Sequence, residues 1–390
     1  MAPGTPTLLA VRAVTAAAAL APLRDAWDGL VERMPRPSPY LLSAWVAAWL
    51  AEPEFEARPY VLVAERAGEL VGFAPFALQR RGHAEVALFA GAHESALADI
   101  VVAPGEPPAT AQMLLDSLPP SGADVLDVFG LPGESLLARA AGPRLRAIQR
   151  VESPVTEMPD GWEDAYRRHT SGNRRNQDRR RERQLGELGT LELSLATDAG
   201  TVRADLPEAF ELHRLRWQGR PDGSTFGQAA GQRFQRIALP ELADQGRFAM
   251  LMMRLDGRPI AFHSWLIVGS SIYLHRNAFD AELSRYGPGL VALRHSLAAA
   301  ADRGATRVEF LGGAEQFKRD LADHFEPLYQ GFGLARGPAG RAYVARAQLA
   351  IAVRMRLKQN ERLHQLYTSG ALRVRRSSGP ASTTEDQAAA

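Results

Sequence analysis

The sequence of 390 residues contains no cysteine, and this absence removes several classes of chemistry. Disulfide bonds, zinc–thiolate sites, iron–sulfur clusters and cysteine nucleophiles all require a thiol. Lysine is almost as scarce, because Lys318 and Lys358 are the only two and arginine supplies the other 44 of the 46 basic residues. Each lysine is therefore informative about function.

The sequence also lacks a long apolar run. The longest uncharged apolar stretch near the start, Val14 to Leu23, is too short to span a bilayer, and only Arg12 precedes it where a signal peptide has a basic region. We therefore expect a cytoplasmic protein without a transmembrane segment. The formal net charge is only +2, so the composition does not favour general nucleic-acid binding.

The pattern of elements repeats along the chain. Each half reads as a hairpin, a helix and a short strand that bears an acid three residues before a glycine: Asp127 before Gly130, and Glu309 before Gly312. This repetition predicts an internal duplication of one unit, although chance similarity among α/β patterns is the alternative. Asp256-Gly257 predicts a tight hairpin in the second half.

These patterns define the predicted domains. We expect one domain over residues 1–150 and a second over 151–335. A C-terminal helix should cover residues 336–367. The polar segment 368–390 should be disordered.

Two glycine-rich segments are candidate ligand sites. Gly287-Pro288-Gly289 precedes a predicted helix, whose first N–H groups could bind a pyrophosphate, although an ordinary loop at a helix start is the alternative. The second segment, Gly312 to Asp320, follows a strand and contains Lys318. This lysine could stabilise an oxyanion or bind a phosphate, or it could pair with Glu315 on a solvated helix.

The remaining candidates are an arginine-rich helix and a histidine. Residues 167–183 contain eight arginines, and Arg175 and Arg179 share one helical face that could hold an anionic ligand, unless that face is simply solvated. His275 lies at the end of a strand where a general base would be useful. His263 is expected to be a satisfied core or cleft residue. No spacing of histidine and acidic residues resembles a metal site, so we expect no metal.

The order of these motifs resembles the acyltransferase domain of the cellulose-biosynthesis (CelD/BcsL-type) branch of the GNAT superfamily. The segment Ser-Pro-Tyr-Leu-Leu-Ser-Ala-Trp at 38–45 is similar to that family's opening segment, and the Tyr-Gly-Pro-Gly loop and the Phe-Lys step are similar to its later motifs. The resemblance covers about residues 10–330. The chain departs from the family at Gly287, where the usual residue is serine, and it lacks the full GNAT phosphate loop. Related peptidoglycan-bridge aminoacyltransferases share a two-domain plan.

The resemblance implies an α+β fold of tandem GNAT-like domains, each a mixed, mostly antiparallel sheet flanked by helices. It implies acyl-CoA, most simply acetyl-CoA, as co-substrate and an amine or hydroxyl of a small or saccharide-like molecule as acceptor. The implied site residues fall into three groups: Lys318, Glu315, His275 and Glu309 for catalysis, Tyr286, Gly287, Pro288, Gly289 and Leu290 for the coenzyme, and Asp99, Arg175, Arg179 and Phe317 for the acceptor, between the domains.

Two other functions stay open at this point. One is aminoacyl transfer from charged tRNA, in which the arginine-rich helix would contact RNA phosphates. The other is a non-catalytic binding protein in exopolysaccharide assembly, with a degenerate coenzyme site.

Overall fold

The computed structural model describes residues 8–92, 94–217, 225–312 and 315–359, without the side chains of residues 225 and 354–359. Within this part, the chain forms two compact units: unit 1 contains residues 8–150 and the segment from 327 onward, and unit 2 contains residues 151–326. The last part of the predicted C-terminal helix, residues 360–367, and the predicted tail, 368–390, lie outside the described residues.

The first eleven regular elements run from unit 1 into the strand that enters unit 2. They are β1 (Leu9–Val14), α1 (Arg24–Glu32), α2 (Ser43–Leu50), β2 (Ala57–Arg66), β3 (Glu69–Arg81), β4 (Ala84–Phe89), β5 (Val101–Val102), α3 (Pro108–Asp116), β6 (Val125–Pro132), α4 (Leu136–Ala141) and β7 (Leu145–Glu157).

The following elements build unit 2, and the chain then returns to unit 1. They are α5 (Trp162–His169), α6 (Gly172–Gly186), β8 (Leu191–Ala196), α7 (Ala199–Trp217), α8 (Ala229–Asp244), β9 (Phe248–Leu255), β10 (Arg258–Val268), β11 (Ser271–Phe279), α9 (Pro288–Asp302), β12 (Arg307–Glu309), α10 (Gln316–Leu321), β13 (His324–Gly333) and α11 (Gly337–Gln359).

Two-residue turns set the register of corresponding hairpins in both units. Ala67 and Gly68 join β2 to β3 with φ of 54° and 82°, and Asp256 and Gly257 join β9 to β10 with φ of 49° and 76°. Two consecutive left-handed residues give the turn whose twist matches that of paired strands. The predicted Asp256-Gly257 hairpin is therefore confirmed.

The sheets of the two units have the same strand order. In unit 1 the order is β1-β2-β3-β4-β6-β13, and in unit 2 it is β8-β9-β10-β11-β12-β7. The first four strands of each are antiparallel, the fifth is parallel to the fourth, and the sixth is antiparallel to the fifth. Helices α3 and α9 are the crossovers that a parallel pair requires. The predicted fold of two mixed, mostly antiparallel sheets flanked by helices is confirmed.

The end of the second unit differs from the predicted boundary at residue 335. Strand β13 pairs with β6 from Leu328 opposite Pro132 to Gly333 opposite Leu126, so residues 327–333 belong to unit 1. Helix α11 also belongs there, because Tyr343 and Ile351 pack against a core cluster of that unit. Strand pairing decides this boundary, and the chain pattern alone does not reveal the pairing.

The sheet of unit 2 has two buried faces. On β10, Ala261 and Trp265 lie in the core that also contains residues of α5, α6, α9 and α10. Phe262 and Ser264 alternate with them and therefore face the other side, where Phe226 contacts Phe262. This alternation determines which candidate site residues can meet.

Candidate functional site

Helix α9 begins at the predicted Gly-Pro-Gly segment. Gly287 is the N-cap with a left-handed φ of 62°, and Pro288 occupies the first helical position. The amides of Leu290 and Val291 already donate to the Gly287 carbonyl oxygen, at 3.1 and 3.2 Å. Because proline has no N–H, the Gly289 amide is the first-turn donor that remains for a ligand within the described part of the chain.

One arginine side chain lies against this helix start, and a second lies over a phenylalanine that contacts it. A Cβ on Gly287 would lie 3.2 Å from Cδ of Arg181, so the Arg181 side chain runs along the glycine. A Cβ on Gly289 would lie 2.9 Å from the ring of Phe279, over which the Arg216 guanidinium sits at 4.4 Å from the ring centroid. The Arg181 guanidinium and the helix dipole together favour an anion here.

Strand β11 separates from its parallel neighbour near this helix. Its pairing with β12 covers three residue pairs, from Ser271 opposite Arg307 to Tyr273 opposite Glu309, whereas β11 continues to Phe279. A register shift between Ser264 and Trp265 of β10 leaves a bulge in β11 next to this point. Strand ends of this kind are common ligand sites in α/β proteins.

Lys318 and Glu315 form a buried ion pair at the start of α10. Lys318 is 0% and Glu315 6% exposed, and Nζ lies 3.1 Å from Oε2. Burial lowers the pKa of Lys318, and the negative charge of Glu315 opposes this shift. Glu315 is the N-cap residue of α10, yet its side chain makes no capping hydrogen bond, because the carboxylate faces the lysine. The predicted pairing of these two residues is present, but inside the protein instead of on a solvated helix.

His263 connects this ion pair to the start of α9. Its Nε2 lies 3.0 Å from the carbonyl oxygen of Gly289. Burial lowers the pKa of His263 to about 4, and the positive charge of Lys318 contributes to the shift. At neutral pH the ring is therefore uncharged and donates its Nε2 proton to that carbonyl. The sequence predicted that His263 is a satisfied core or cleft residue. Its proximity to Lys318 could not be predicted, because it depends on which face of β10 the side chain occupies.

His275 lies on the other face of the sheet. Its ring contacts Phe226 and Phe248, and its Nδ1 lies 3.3 Å from the hydroxyl of Ser264. Burial moves the pKa of His275 well below its usual value, and the charge of Arg276 acts in the same direction. The structure therefore does not bring His275 together with Lys318.

Glu309 also faces away from Lys318. Its neighbours Val308 and Phe310 lie in the core shared with α9, so the Glu309 side chain points to the opposite face. Its carboxylate accepts from Arg307 at 3.1 Å and from the Ser153 hydroxyl at 3.5 Å. The four predicted catalytic residues thus divide between the two faces of the sheet, and their roles stay predictions.

Asp99, predicted to bind the acceptor, has a set of partners within unit 1. Its carboxylate accepts from the amides of Ile100, Leu136 and Leu137 and from the Ser135 hydroxyl, at 2.7–2.9 Å. Burial nevertheless raises its pKa to about 6. This arrangement is that of a carboxylate that caps α4, and the contact of Asp99 with an acceptor stays a prediction.

Arg175 and Arg179 of helix α6 were predicted to face an anionic ligand, but a different pair of residues on this helix lines a cavity. Arg179 is exposed and donates to Asn176, and Arg175 donates to the Thr170 carbonyl oxygen. Arg174 and Asp178 instead line a cavity of about 290 Å³ with residues of α5, α9 and α10, among them Leu290 and Phe317. The roles of Arg175 and Arg179 stay predictions.

The described residues contain no cluster of histidine and acidic side chains that could hold a metal ion. In the same part of the chain, no helix combines the length and the apolar surface that a membrane crossing requires.

Comparisons with known proteins identify the class of the second unit. Residues 172–319 match the family model described as "Acetyltransferase (GNAT) domain". Residues 172–319 of unit 2 therefore form a GNAT-type acetyltransferase domain. No curated protein matches the sequence.

Solved structures show a similar fold over most of the chain. FemX is 11% identical with a TM-score of 0.57, and the match covers 82% of this chain and 96% of FemX. L-PGS from Bacillus licheniformis is 12% identical with a TM-score of 0.52, over 81% and 93% of the chains. The C-terminal domain of a putative lysylphosphatidylglycerol synthetase from Agrobacterium fabrum is 14% identical with a TM-score of 0.51, over 90% and 98%. At these identities the similarity shows the fold alone.

Proposed function

We propose that this protein transfers an acyl group, most simply acetyl, from coenzyme A to an amine or hydroxyl of a small or saccharide-like acceptor. The observation that carries this proposal is the start of α9, where the Gly289 amide is left for a ligand and the Arg181 side chain runs along Gly287, near the separated end of β11. A diphosphate is the anion that fits such a set of donors. We also retain the prediction that this acyltransferase belongs to the cellulose-biosynthesis type.

The chemistry follows from the absence of any thiol in the protein. The acceptor nitrogen or oxygen attacks the thioester carbonyl directly, because no cysteine can form an acyl-enzyme. A new bond to carbon forms, the carbon–sulfur bond breaks, and the proton lost by the acceptor is finally taken up by the released thiolate. A base must accept that proton in the transition state, directly or through water.

Lys318 is the residue that we assign to the developing oxyanion. A buried ammonium is a strong electrostatic partner for a negative oxygen, because the surroundings screen it weakly. The carboxylate of Glu315 opposes the lowering of the Lys318 pKa that burial causes. The base would be Glu315 on the same face, or Glu309 or His275 on the other.

Calorimetry with acetyl-CoA tests this proposal. We expect one acetyl-CoA per chain, and Arg181→Ala should weaken the Kd about tenfold, which corresponds to loss of ~1.4 kcal/mol of charge-assisted binding. Arg183→Ala is the matched control, because Arg183 is exposed on the same helix and pairs with Glu187 at 3.5 Å. Absence of binding to the full chain, or an equal effect of both variants, would contradict the proposal.

One surface feature favours a second candidate, aminoacyl transfer from charged tRNA. Arg179, Arg180 and Arg183 are exposed along α6 and could contact RNA phosphates. Salt-dependent binding of charged tRNA together with aminoacyl turnover would support this candidate. Turnover of acetyl-CoA in the absence of RNA would reject it.

A further inference from the structure

Unit 2 contains a cavity whose size suits one small molecule. Helices α5, α6, α9 and α10 enclose about 290 Å³, at the lower end of the range of ligand pockets. This space is sufficient for a ring or a short chain and too small for a complete coenzyme A. Leu290, Leu293 and Phe317 form an apolar wall, and Trp162 and Leu321 are buried beside it.

The polar wall of the cavity contains two arginines, Arg174 and Arg294. Each of them makes the longest of the contacts that its carboxylate partner has. Asp178 accepts from the Tyr166 hydroxyl at 2.6 Å and from Arg181 at 2.8 Å, so its bond with Arg174 at 3.3 Å is the longest of three. Both Arg174 and Asp178 line the cavity. Asp178 would keep two close partners without Arg174.

One turn further along α6, a second carboxylate also has a closer partner than its arginine neighbour. Glu182 accepts from His295 at 2.7 Å, whereas its contact with Arg294 is 3.4 Å long. The Arg294 guanidinium lies over the Tyr166 ring, 5.3 Å from its centroid. Its buried Nε has no hydrogen-bond acceptor among the residues that the structure describes. Arg294 therefore lines the cavity with a donor that its carboxylate neighbour does not use.

The two remaining ionisable groups of the lining, His169 and Asp320, have partners other than these arginines. His169 contacts Asp323, with Nε2 3.0 Å from Oδ1. Asp320 is exposed on α10 and accepts from Gln316 at 2.6 Å. The positive side of the cavity thus consists of Arg174 and Arg294, and an apolar wall accompanies it.

We propose that this cavity is the acceptor site, and that the acceptor carries a carboxylate or phosphate on an apolar ring or chain. The anionic group would accept from Arg174 and Arg294, and the apolar body would contact Leu290 and Phe317. Leu290 belongs to the first turn of α9 and Phe317 precedes Lys318, so the cavity adjoins both parts of the proposed centre. This assignment rests on the proposed function, because it names the second substrate of that reaction.

A binding experiment separates charge from shape. Fluorine NMR of the full chain labelled with 5-fluorotryptophan reports on Trp162, whose resonance is assigned with Trp162→Phe. Benzoate and phenyl phosphate should shift that resonance, benzamide should bind at least about tenfold more weakly, and inorganic phosphate should also be weaker because it has no apolar body. Equal binding of benzoate and benzamide, or no shift with any probe, would overturn the inference.

Matched variants test the two arginines. Arg174→Gln and Arg294→Gln should each weaken benzoate about tenfold, and both should fold because Asp178 and Glu182 keep their closer partners. Arg183→Gln should leave benzoate binding unchanged. Normal benzoate affinity in folded Arg174→Gln and Arg294→Gln proteins would overturn the assignment.

Acetyl-CoA titrations distinguish failure of this inference from failure of the proposed function. Saturating benzoate should leave the Kd of acetyl-CoA unchanged, whereas competition would make the cavity part of the donor site and overturn the acceptor role. Normal acetyl-CoA binding without benzoate binding would overturn this inference alone. Benzoate binding without acetyl-CoA binding would contradict the proposed function, and the acceptor role with it.

Discussion

The two units share one strand order but differ at the place where the parallel pair separates. In unit 1, β4 and β6 pair at Val86 opposite Val125 and at Ala87 opposite Leu126. Beyond these pairs, the segment 94–98 lies on the edge of β6, because the Ala98 amide donates to the Gly130 carbonyl oxygen at 3.0 Å. A Cβ on Gly130, whose φ is 74°, would lie 2.4 Å from the Ala96 carbonyl oxygen. The chain itself therefore fills this position in unit 1.

The ionic groups near that position also differ. In unit 1, Asp127 accepts from the Tyr343 hydroxyl at 2.7 Å and from Arg81 at 3.4 Å, and the adjoining cavity of about 10 Å³ has room for about one water molecule. In unit 2, Lys318 has Glu315 at 3.1 Å. The two units therefore share a scaffold, and within the described residues only unit 2 combines a buried lysine with an accessible helix start.

The helix after the parallel strand shows the same divergence. In unit 1, the Ser135 hydroxyl accepts from the Ala138 amide and caps α4. In unit 2, Glu315 occupies the N-cap of α10 without capping it. A cap contributes about 1 kcal/mol to stability. Unit 2 forgoes this contribution and keeps a carboxylate next to Lys318, which is the trade expected at a functional site.

The largest expected difference between the units concerns turnover. Lys318→Met should lower kcat by roughly two to three orders of magnitude, as loss of an oxyanion donor does. Tyr343→Phe in unit 1 should change kcat less than about twofold, because we place no chemistry there. Release of free coenzyme A measures both.

Removing the lysine leaves Glu315 buried without its partner, so stability needs a separate control. The double variant Lys318→Met, Glu315→Gln removes both charges and should fold better than the single variant. Full activity in either folded variant would show that Lys318 is not part of the centre.

The next effect concerns stability in unit 1. Asp127→Ala should lower the free energy of unfolding by about 3–5 kcal/mol, because it leaves the buried Arg81 without this carboxylate. Urea unfolding measures the loss, and the Kd of acetyl-CoA should stay the same. A weakened Kd in a folded Asp127→Ala protein would mean that unit 1 contributes to the donor site.

Asp99 predicts a pH dependence that originates in unit 1. Burial raises its pKa to about 6, above about 3.9 in the unfolded chain, so the native state binds the proton more tightly. Stability should therefore fall as pH rises from about 4 to about 6, by up to about 3 kcal/mol. Asp99→Asn should flatten the decline over that interval, and an unchanged slope in urea unfolding would contradict the assignment.

The smallest effect tests whether the shared scaffold is equivalent in both units. Gly68→Ala and Gly257→Ala each force alanine into a left-handed conformation, at φ of 82° and 76°, where an added Cβ meets no atom within 4 Å. Each substitution should lower the free energy of unfolding by about 1 kcal/mol, and the two losses should be similar. Thermal unfolding of the two variants measures this, and a clearly larger loss in one would indicate unequal hairpins.

Short-range features of the fold could be predicted from the sequence. Asp256-Gly257, the Ser171 cap of α6 and the helix after Gly287-Pro288-Gly289 depend on residues within one or two turns of each other. Local backbone preference decides them, and the order of motifs indicated the GNAT type. The composition alone, with two lysines in 390 residues, indicated that Lys318 is a candidate functional residue.

Long-range features could not be predicted in this way. The choice of β13 as the closing strand of unit 1 depends on pairing with β6, almost two hundred residues earlier. The separation of His275 from Lys318 depends on which side of β10 and β11 each side chain faces. A bulge can reverse that side, so spacing in the chain does not predict it.

The sequence by itself determined the hairpins, the helix starts, the thiol-free chemistry and the identity of one unusual lysine, because these follow from neighbouring residues and composition. Only the tertiary structure decided that Lys318 is buried against Glu315 near His263 and that Asp99 caps a helix. It also decided that the segment 94–98 of unit 1 occupies the edge of β6 beside Gly130. Burial and electrostatic environment arise when segments distant in the chain pack together, and they determine what an ionisable side chain can do.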